Sequence, residues 1–251
     1  MKALITGASS GIGRDLARAL ARRGYDLILV ARREERLCEL AAELPVAVQV
    51  IPLDLASADN CRTLYSLVKD QDIDILVNNA GRGLFGPFDE TDLDTELSML
   101  DVNIRATHIL TKLFLPDFKA RDRGHILNVA SSAAFLPGPL LSSYYASKAY
   151  VLRLSQAIYE ELRRAKSGVK ITVLCPGPVH TEFNDVADVR FSTPGLSSSY
   201  VAEYAVRGML AGRLVLVPGA QMKATHAASR FVPDKLLARI CWHVQKRKDR
   251  R

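Results

Sequence analysis

The chain is short of the features that define several broad classes. Nowhere in its 251 residues do roughly 18 apolar residues follow one another, as a membrane-spanning helix requires. It has only four cysteines, Cys38, Cys61, Cys175 and Cys241, and their separations fit no zinc or dithiol pattern. They read as small apolar residues. The five histidines, His108, His125, His180, His226 and His243, show no ligand spacing either, so no metal is expected. Internal repeats, low-complexity segments and linkers are missing too. One-sided charge is scarce outside the last residues. The net charge is +7, but residues 234–251 hold seven Lys or Arg against two Asp, which leaves the rest of the chain at +2. A nucleic-acid binder would spread its basic residues over a folded face, so nucleic acid is not expected as a partner. The apolar run at 3–5 begins almost at Met1 and enters a glycine-rich turn, unlike a secretory leader. The cytoplasm is the expected compartment.

What is present is a regular alternation. Short runs rich in Val, Ile and Leu fall at 3–5, 27–31, 46–51, 73–77, 125–129, 169–174 and 214–217. They seldom alternate with polar residues, as expected of parallel strands covered on both faces. Helical patterns lie between them at 12–23, 34–43, 58–69, 92–119, 143–166 and 198–211. This order predicts an α/β fold: a doubly wound, Rossmann-like parallel sheet of about seven strands with helices on both faces. The 48% hydrophobic content suffices for one core, so residues 1–251 are read as a single domain. Residues 177–197 form the least periodic stretch, and Pro233 precedes a final basic helix over 234–251. In such sheets ligands bind outside the carboxyl ends of the strands.

The first of those ends reads Thr6-Gly7-Ala8-Ser9-Ser10-Gly11-Ile12-Gly13. Glycines there permit a tight turn and close approach of a pyrophosphate, and the following helix start offers free N–H groups. The spacing is G-x-x-x-G-x-G. Near the end of the second strand an acidic residue would hold the ribose 2′-hydroxyl of NAD. The chain has Ala31 there, followed by Arg32 and Arg33. Guanidinium forks suit a 2′-phosphate, so NADP(H) is the expected cofactor, with Arg14 as a further candidate contact. The competing reading makes Arg32, Arg33, Glu34 and Glu35 a solvated helix start.

Tyr144 and Lys148 sit four apart in a helical pattern, hence on one face. A neighbouring ammonium would favour the phenolate and lower the Tyr144 pKa, fitting it for proton transfer to a carbonyl or from an alcohol. Such a pair alone could equally be a surface pair. Ser131 follows the 125–129 strand and could orient a substrate oxygen, with Ser132 as its competitor; Asn103 could hydrogen-bond from the preceding helix.

Taken together, the glycine-rich turn, Asn78-Asn79-Ala80-Gly81, Asn103, Ser131, Tyr144-x-x-x-Lys148 and Pro176-Gly177 resemble the short-chain dehydrogenase/reductase family, in family order over nearly the whole chain. The resemblance implies a tetrad of Asn103, Ser131, Tyr144 and Lys148. Ser131 is preferred to Ser132 because it lies thirteen residues before Tyr144. The resemblance also implies cofactor contacts from Gly7, Ser9, Ser10, Gly11, Ile12 and Gly13. Asp54 and Leu55 would lie against adenine, and Asn79, Ala80 and Gly81 on the adenosine side. Pro176, Gly177, Val179 and Thr181 would flank the nicotinamide. Lys148 would hold the nicotinamide ribose and Asn103 a relay water. A homodimer or homotetramer is implied as well. The family often has glycine where this chain has Ala134, which is expected to alter pocket shape. The alternative is a non-catalytic dinucleotide-binding sensor or scaffold of the same fold.

Two apolar segments are expected to form the substrate pocket. One is 133–141; the other follows Gly177 with Phe183, Val186, Val189 and Phe191. They suit an apolar ketone. At the end of the chain, Leu236, Leu237, Ile240, Cys241 and Val244 fall on a helix stripe about 140° wide, at ~100° per residue. Beside it lie basic residues and Trp242. Two occupants fit: the body of the protein or a sister subunit, or weak contact with an anionic membrane surface.

Overall fold

The computed structural model describes residues 1–183 and 195–246. Val186, Val189, Phe191 and the basic end at 247–251 lie outside the described residues. The described strands are β1 (Lys2–Thr6), β2 (Asp26–Ala31), β3 (Val48–Pro52), β4 (Ile73–Asn78), β5 (His125–Val129), β6 (Lys170–Leu174), β7 (Val179–His180), β8 (Leu196–Ser197) and β9 (Val215–Leu216). Seven of them form one parallel sheet in the order β3-β2-β1-β4-β5-β6-β9. The doubly wound architecture expected from the sequence is therefore the one observed.

Strand periodicity explains why both faces are apolar. Ala3, Ile5, Leu27, Leu29, Ile75 and Val77 enter one core, while Leu4, Ile28, Val30 and Leu76 enter the other. The first core is closed by α1 (Gly11–Ala21), α2 (Glu34–Glu43) and α7 (Ser198–Leu210). The second is closed by α3 (Ala58–Val68), α5 (Thr107–Ala120) and α6 (Ser142–Arg164). Each fully buried Leu or Ile contributes about 1.5–3 kcal/mol. Asp15, nearly buried on α1, accepts from Ser198 Oγ and pairs with Arg18, tying the start of α7 to α1. Glu203 on α7 closes the same contact by pairing with Arg22 and Arg23.

Three features depart from the sequence reading. The helix expected over 92–119 is interrupted. A π-turn at Asp101–Ala106 separates α4 (Leu93–Leu100) from α5. A π-turn adds a residue without a Gly or Pro to announce it, so apolar periodicity does not reveal it. The α8 helix (Ala220–Ser229) has no fully buried residue and hence no apolar stripe to read. The two-residue strands β7 and β8 pair in parallel and clamp the ends of the segment between them.

The final helix, α9 (Asp234–Lys246), packs on the protein. Cys241 and Gln245 are buried and Leu237 is half-buried, whereas Leu236, Ile240 and Val244 remain exposed beside Trp242. Leu237, Ile240, Cys241 and Val244 nevertheless border the protein's main cleft, so most of the stripe faces the body of the protein and only Leu236 does not. Among the described residues no helix is long and apolar enough to cross a membrane.

Candidate active site

The strand order reverses at β1, whose neighbours are β2 and β4, and this opens a crevice at their carboxyl ends. Gly7 stands there with φ +66°, and a Cβ on it would come within 2.8 Å of the Ala80 Cα. A Cβ on Gly13 would lie 2.2 Å from the Gly7 carbonyl. Close packing of the turn thus demands both glycines, the first for conformation and the second for space. Asn79 locks the turn to β4: its Nδ2 donates to the carbonyls of Thr6 at 3.0 Å and Gly7 at 3.1 Å. Thr6 Oγ1 accepts from the amides of Asn79 and Ala80. No side chain caps the start of α1, and its first turn carries no acidic residue. Its amides and dipole therefore remain suited to an anion.

Around this cradle lies a cleft of about 860 Å³. Ser9, Ser10, Gly11, Ile12, Arg32, Arg33, Asp54 and Leu55 line one end. Arg33 donates through Nε and Nη2 to Ser9 Oγ (3.3 and 3.1 Å) and through Nη2 to Ser10 Oγ (3.0 Å). Asp54 is folded into its own turn, accepting from the Ala56 amide at 3.0 Å. Arg14 is not brought to the cleft. It is exposed on α1, because the residue after Gly13 has already turned away around the helix.

The other end is built from α6, β5 and the segment after β6. Ser131, Tyr144, Lys148, Pro176, Gly177, Val179 and Thr181 all line it. Tyr144 is half-buried, and Ser131 lines the same cleft, its hydroxyl accepting from the Ala133 amide at 3.1 Å. The Ser132 amide bonds the Pro176 carbonyl, which the Ser131 hydroxyl also reaches at 3.5 Å. Lys148 is 5% exposed; its Nζ donates to the Val129 carbonyl at 3.1 Å and stands 5.8 Å from the centre of the Tyr144 ring.

The titration of the pair differs from the expectation drawn from its spacing. Desolvation dominates at Tyr144 and pushes the phenol above its ordinary value, with the nearby Ser131 hydroxyl opposing. Desolvation also lowers Lys148 to about 8. Burial outweighs the ammonium because Lys148 points at a backbone carbonyl and not at the phenolic oxygen.

A chain of buried polar contacts holds α6 in place. Asn103, in the π-turn and 1% exposed, donates to Ser147 Oγ at 3.0 Å and to the Arg82 carbonyl at 2.9 Å, and accepts from the Arg82 amide. Ser147 in turn donates to the Tyr144 carbonyl at 2.7 Å. A Cβ on Gly81 would meet Asn103 Oδ1 at 3.0 Å and Lys148 Nζ at 3.1 Å, so the end of β4 sits directly against both. Deeper in, Asn78 donates to Asn128 and Asn128 to Ser155 of α6, each at 2.9 Å. Asn128→Ala removes two buried hydrogen bonds, while Asn78 keeps Thr111 and Ser155 keeps the Val151 carbonyl. The substitution is expected to cost about 2 kcal/mol by chemical denaturation. An unchanged midpoint would show the ladder to be dispensable.

Phe85, Tyr145 and Phe183 pack with Leu141 around the Tyr144 ring. Ala133, Phe135, Leu136 and Leu141 come from the expected 133–141 segment, but Ala134 does not face the cleft. It is buried with Ala130, Val151 and Leu152, so the departure from glycine there falls in the core. Periodicity overlooked the C-terminal wall: His226, stacked on Phe135 at 3.6 Å, and Gln245, which donates to the Tyr145 hydroxyl. Among the described residues no cluster of three or more His, Cys, Asp and Glu is arranged to hold a metal.

Residues 1–189 match the sequence model of the short chain dehydrogenase family. The chain belongs to the short-chain dehydrogenase family and is an oxidoreductase acting at CH–OH groups of small molecules. Its relatives include an oxidoreductase of Staphylococcus epidermidis, 36% identical over 188 residues, covering 74% of this chain and 81% of the relative. A short-chain dehydrogenase from Sphingobium yanoikuyae solved in complex with NADPH is 32% identical, with a TM-score of 0.82 over 91% of this chain and 93% of its own. One from Burkholderia phymatum solved with NAD is 25% identical, with a TM-score of 0.82 over 90% and 91%.

Proposed function

We propose that the protein is an NADP(H)-dependent reductase that interconverts apolar ketones and secondary alcohols. The observation that carries this reading is the convergence of Ser131, Tyr144 and Lys148 on one cleft whose other end is the glycine cradle. The cradle fits a nicotinamide dinucleotide. Gly7 and Gly13 let the turn pack tightly against β4, and the uncapped start of α1 would hold the diphosphate. When bound, the cofactor supplies or takes up a hydride. The protein's residues do the rest. Ser131 orients the substrate oxygen, and the Tyr144 phenol, kept protonated by burial, gives it a proton. Lys148 anchors the nicotinamide ribose and Asn103 fixes the polar chain behind Tyr144. The aromatic wall of Phe183 and Tyr145 favours apolar groups on the carbonyl.

Preference for NADP(H) rests on Ala31, which supplies no carboxylate for a ribose 2′-hydroxyl, and on the guanidinium groups of Arg32 and Arg33 at the same end of the cleft. The test is steady-state kinetics with a panel of ketones and both cofactors. NADPH should give the higher kcat/KM, and neutral replacements at Arg32 and Arg33 should raise KM for NADPH about tenfold or more while sparing NADH. Equal or better efficiency with NADH in the unmodified protein would overturn the cofactor assignment.

A further inference from the structure

The Arg33 guanidinium is engaged on two sides. One edge rests on Ser9 and Ser10 of the glycine-rich turn. Its Nη1 donates to Glu182 Oε2 at 2.8 Å, and the other oxygen of the same carboxylate takes Arg36 Nη1 at 2.5 Å. Glu182 comes from the far side of the cleft, in the segment after β7. That segment is held against the cradle: a Cβ on Gly11 would lie 3.0 Å from the Thr181 side chain. The β7–β8 pairing fixes the backbone just before it. Glu182 and Arg33 both line the cleft, and all three side chains remain partly exposed.

We propose that Glu182 is a cofactor-discriminating residue whose carboxylate occupies the place on the Arg33–Arg36 pair that the 2′-phosphate of NADPH must take. The inference rests on the reading of Arg33 as the 2′-phosphate contact. A phosphate monoester brings about −1.5 to −2 charges and three acceptor oxygens, and it recognises guanidinium forks as a carboxylate does. Two anions cannot share one Nη1 donor at hydrogen-bond distance without strong repulsion. NADPH therefore binds at the expense of the Glu182 bridge. NADH, which has a hydroxyl at that position, leaves the bridge intact. Glu182 in this way reduces the selectivity that Arg33 would otherwise confer. The two arginines hold its carboxyl below the usual carboxylate range, so it competes as an anion throughout the neutral range.

The test measures binding by calorimetry or NAD(P)H fluorescence, independently of turnover. The probes are NADPH, NADH, adenosine 2′,5′-bisphosphate and AMP; the proteins are wild type, Glu182→Gln and Arg33→Ala. Glutamine keeps the size of Glu182 and removes its charge. In Glu182→Gln, NADPH and adenosine 2′,5′-bisphosphate should bind about fivefold tighter, the scale of one charge contact at a partly exposed site, with NADH and AMP within about twofold of wild type. The gain should shrink in added salt. Unchanged or weaker NADPH binding in Glu182→Gln overturns the proposal, and so does an equal gain for NADH, which would place the effect on the turn as a whole. Failure of the underlying reading looks different: Arg33→Ala would then leave NADPH binding at the wild-type value. If Arg33→Ala weakens NADPH and Glu182→Gln does not tighten it, only the role of Glu182 is lost.

Discussion

Tyr144→Phe should lower kcat for ketone reduction at least about a thousandfold, close to 4 kcal/mol of barrier, while NADPH binds nearly as before. The substitution removes one oxygen and keeps the ring, so the packing against Phe183 at 5.3 Å and Tyr145 at 6.1 Å survives. What goes is the hydroxyl proposed as the proton donor. Steady-state rates with a ketone and a separate NADPH titration check both halves of the expectation. Activity within about tenfold of wild type, ~1.4 kcal/mol, would remove Tyr144 from the reaction. The pH dependence follows from the raised phenol. Below its pKa Tyr144 is a proton donor, so reduction should be nearly flat across neutral pH as far as this group decides it. Alcohol oxidation needs the phenolate and should rise with pH over the same range. A sensor or scaffold of this fold would give no turnover in the unmodified protein, with either cofactor.

How much of this was legible in the sequence depends on the range of the interactions involved. Buried parallel strands announce themselves locally, because each must be apolar on both faces, and helix α2 lies over the residues its pattern predicts. Tyr144 and Lys148 were legible for the same reason: their proximity is one helical turn. Arg14 shows the limit of nearness in sequence, since one step past Gly13 the helix has carried the side chain off the cleft. The direction of the Tyr144 pKa was misread because spacing reports a neighbouring charge and says nothing about desolvation. Gln245 could not be read at all. Its partner Tyr145 is 100 residues away in the chain, and a polar residue on a basic terminal helix looks solvated until the helix is seen to pack. Glu182 was equally hidden, 149 residues from Arg33. Contacts of such separation leave no periodic trace.

Lys148→Met should move activity and stability in opposite directions. On the reading that one ammonium both holds the nicotinamide ribose and stands behind Tyr144, turnover should fall at least about a thousandfold and NADPH should bind more weakly. The fold should nevertheless gain. The lysine is 5% exposed and its pKa is held down to about 8 by desolvation, so its charged form carries a penalty of ~3 kcal/mol against the unfolded chain. Methionine fills nearly the same space without a charge. The offsetting loss is the hydrogen bond to the Val129 carbonyl, about 1 kcal/mol. The net gain of ~2 kcal/mol corresponds to about 5 °C in Tm for a chain of this size. The pH dependence is distinctive, because the folded-state pKa lies below the unfolded value. Between about pH 8 and the ordinary lysine value of 10.5, the unfolded chain binds more protons than the folded one, so the wild type grows more stable as pH rises through that window. The variant lacks this rise. Its advantage should be nearly complete below pH 8, fall to about zero near pH 10 and reverse slightly above it, where only the lost Val129 bond remains, which calorimetry at pH 7 and pH 10 can follow. A lower Tm for Lys148→Met at pH 7 would mean that the buried ammonium stabilises the fold, and that the Val129 contact outweighs its desolvation. The expected result is the reverse: a charge retained at the site at a cost to the core around it.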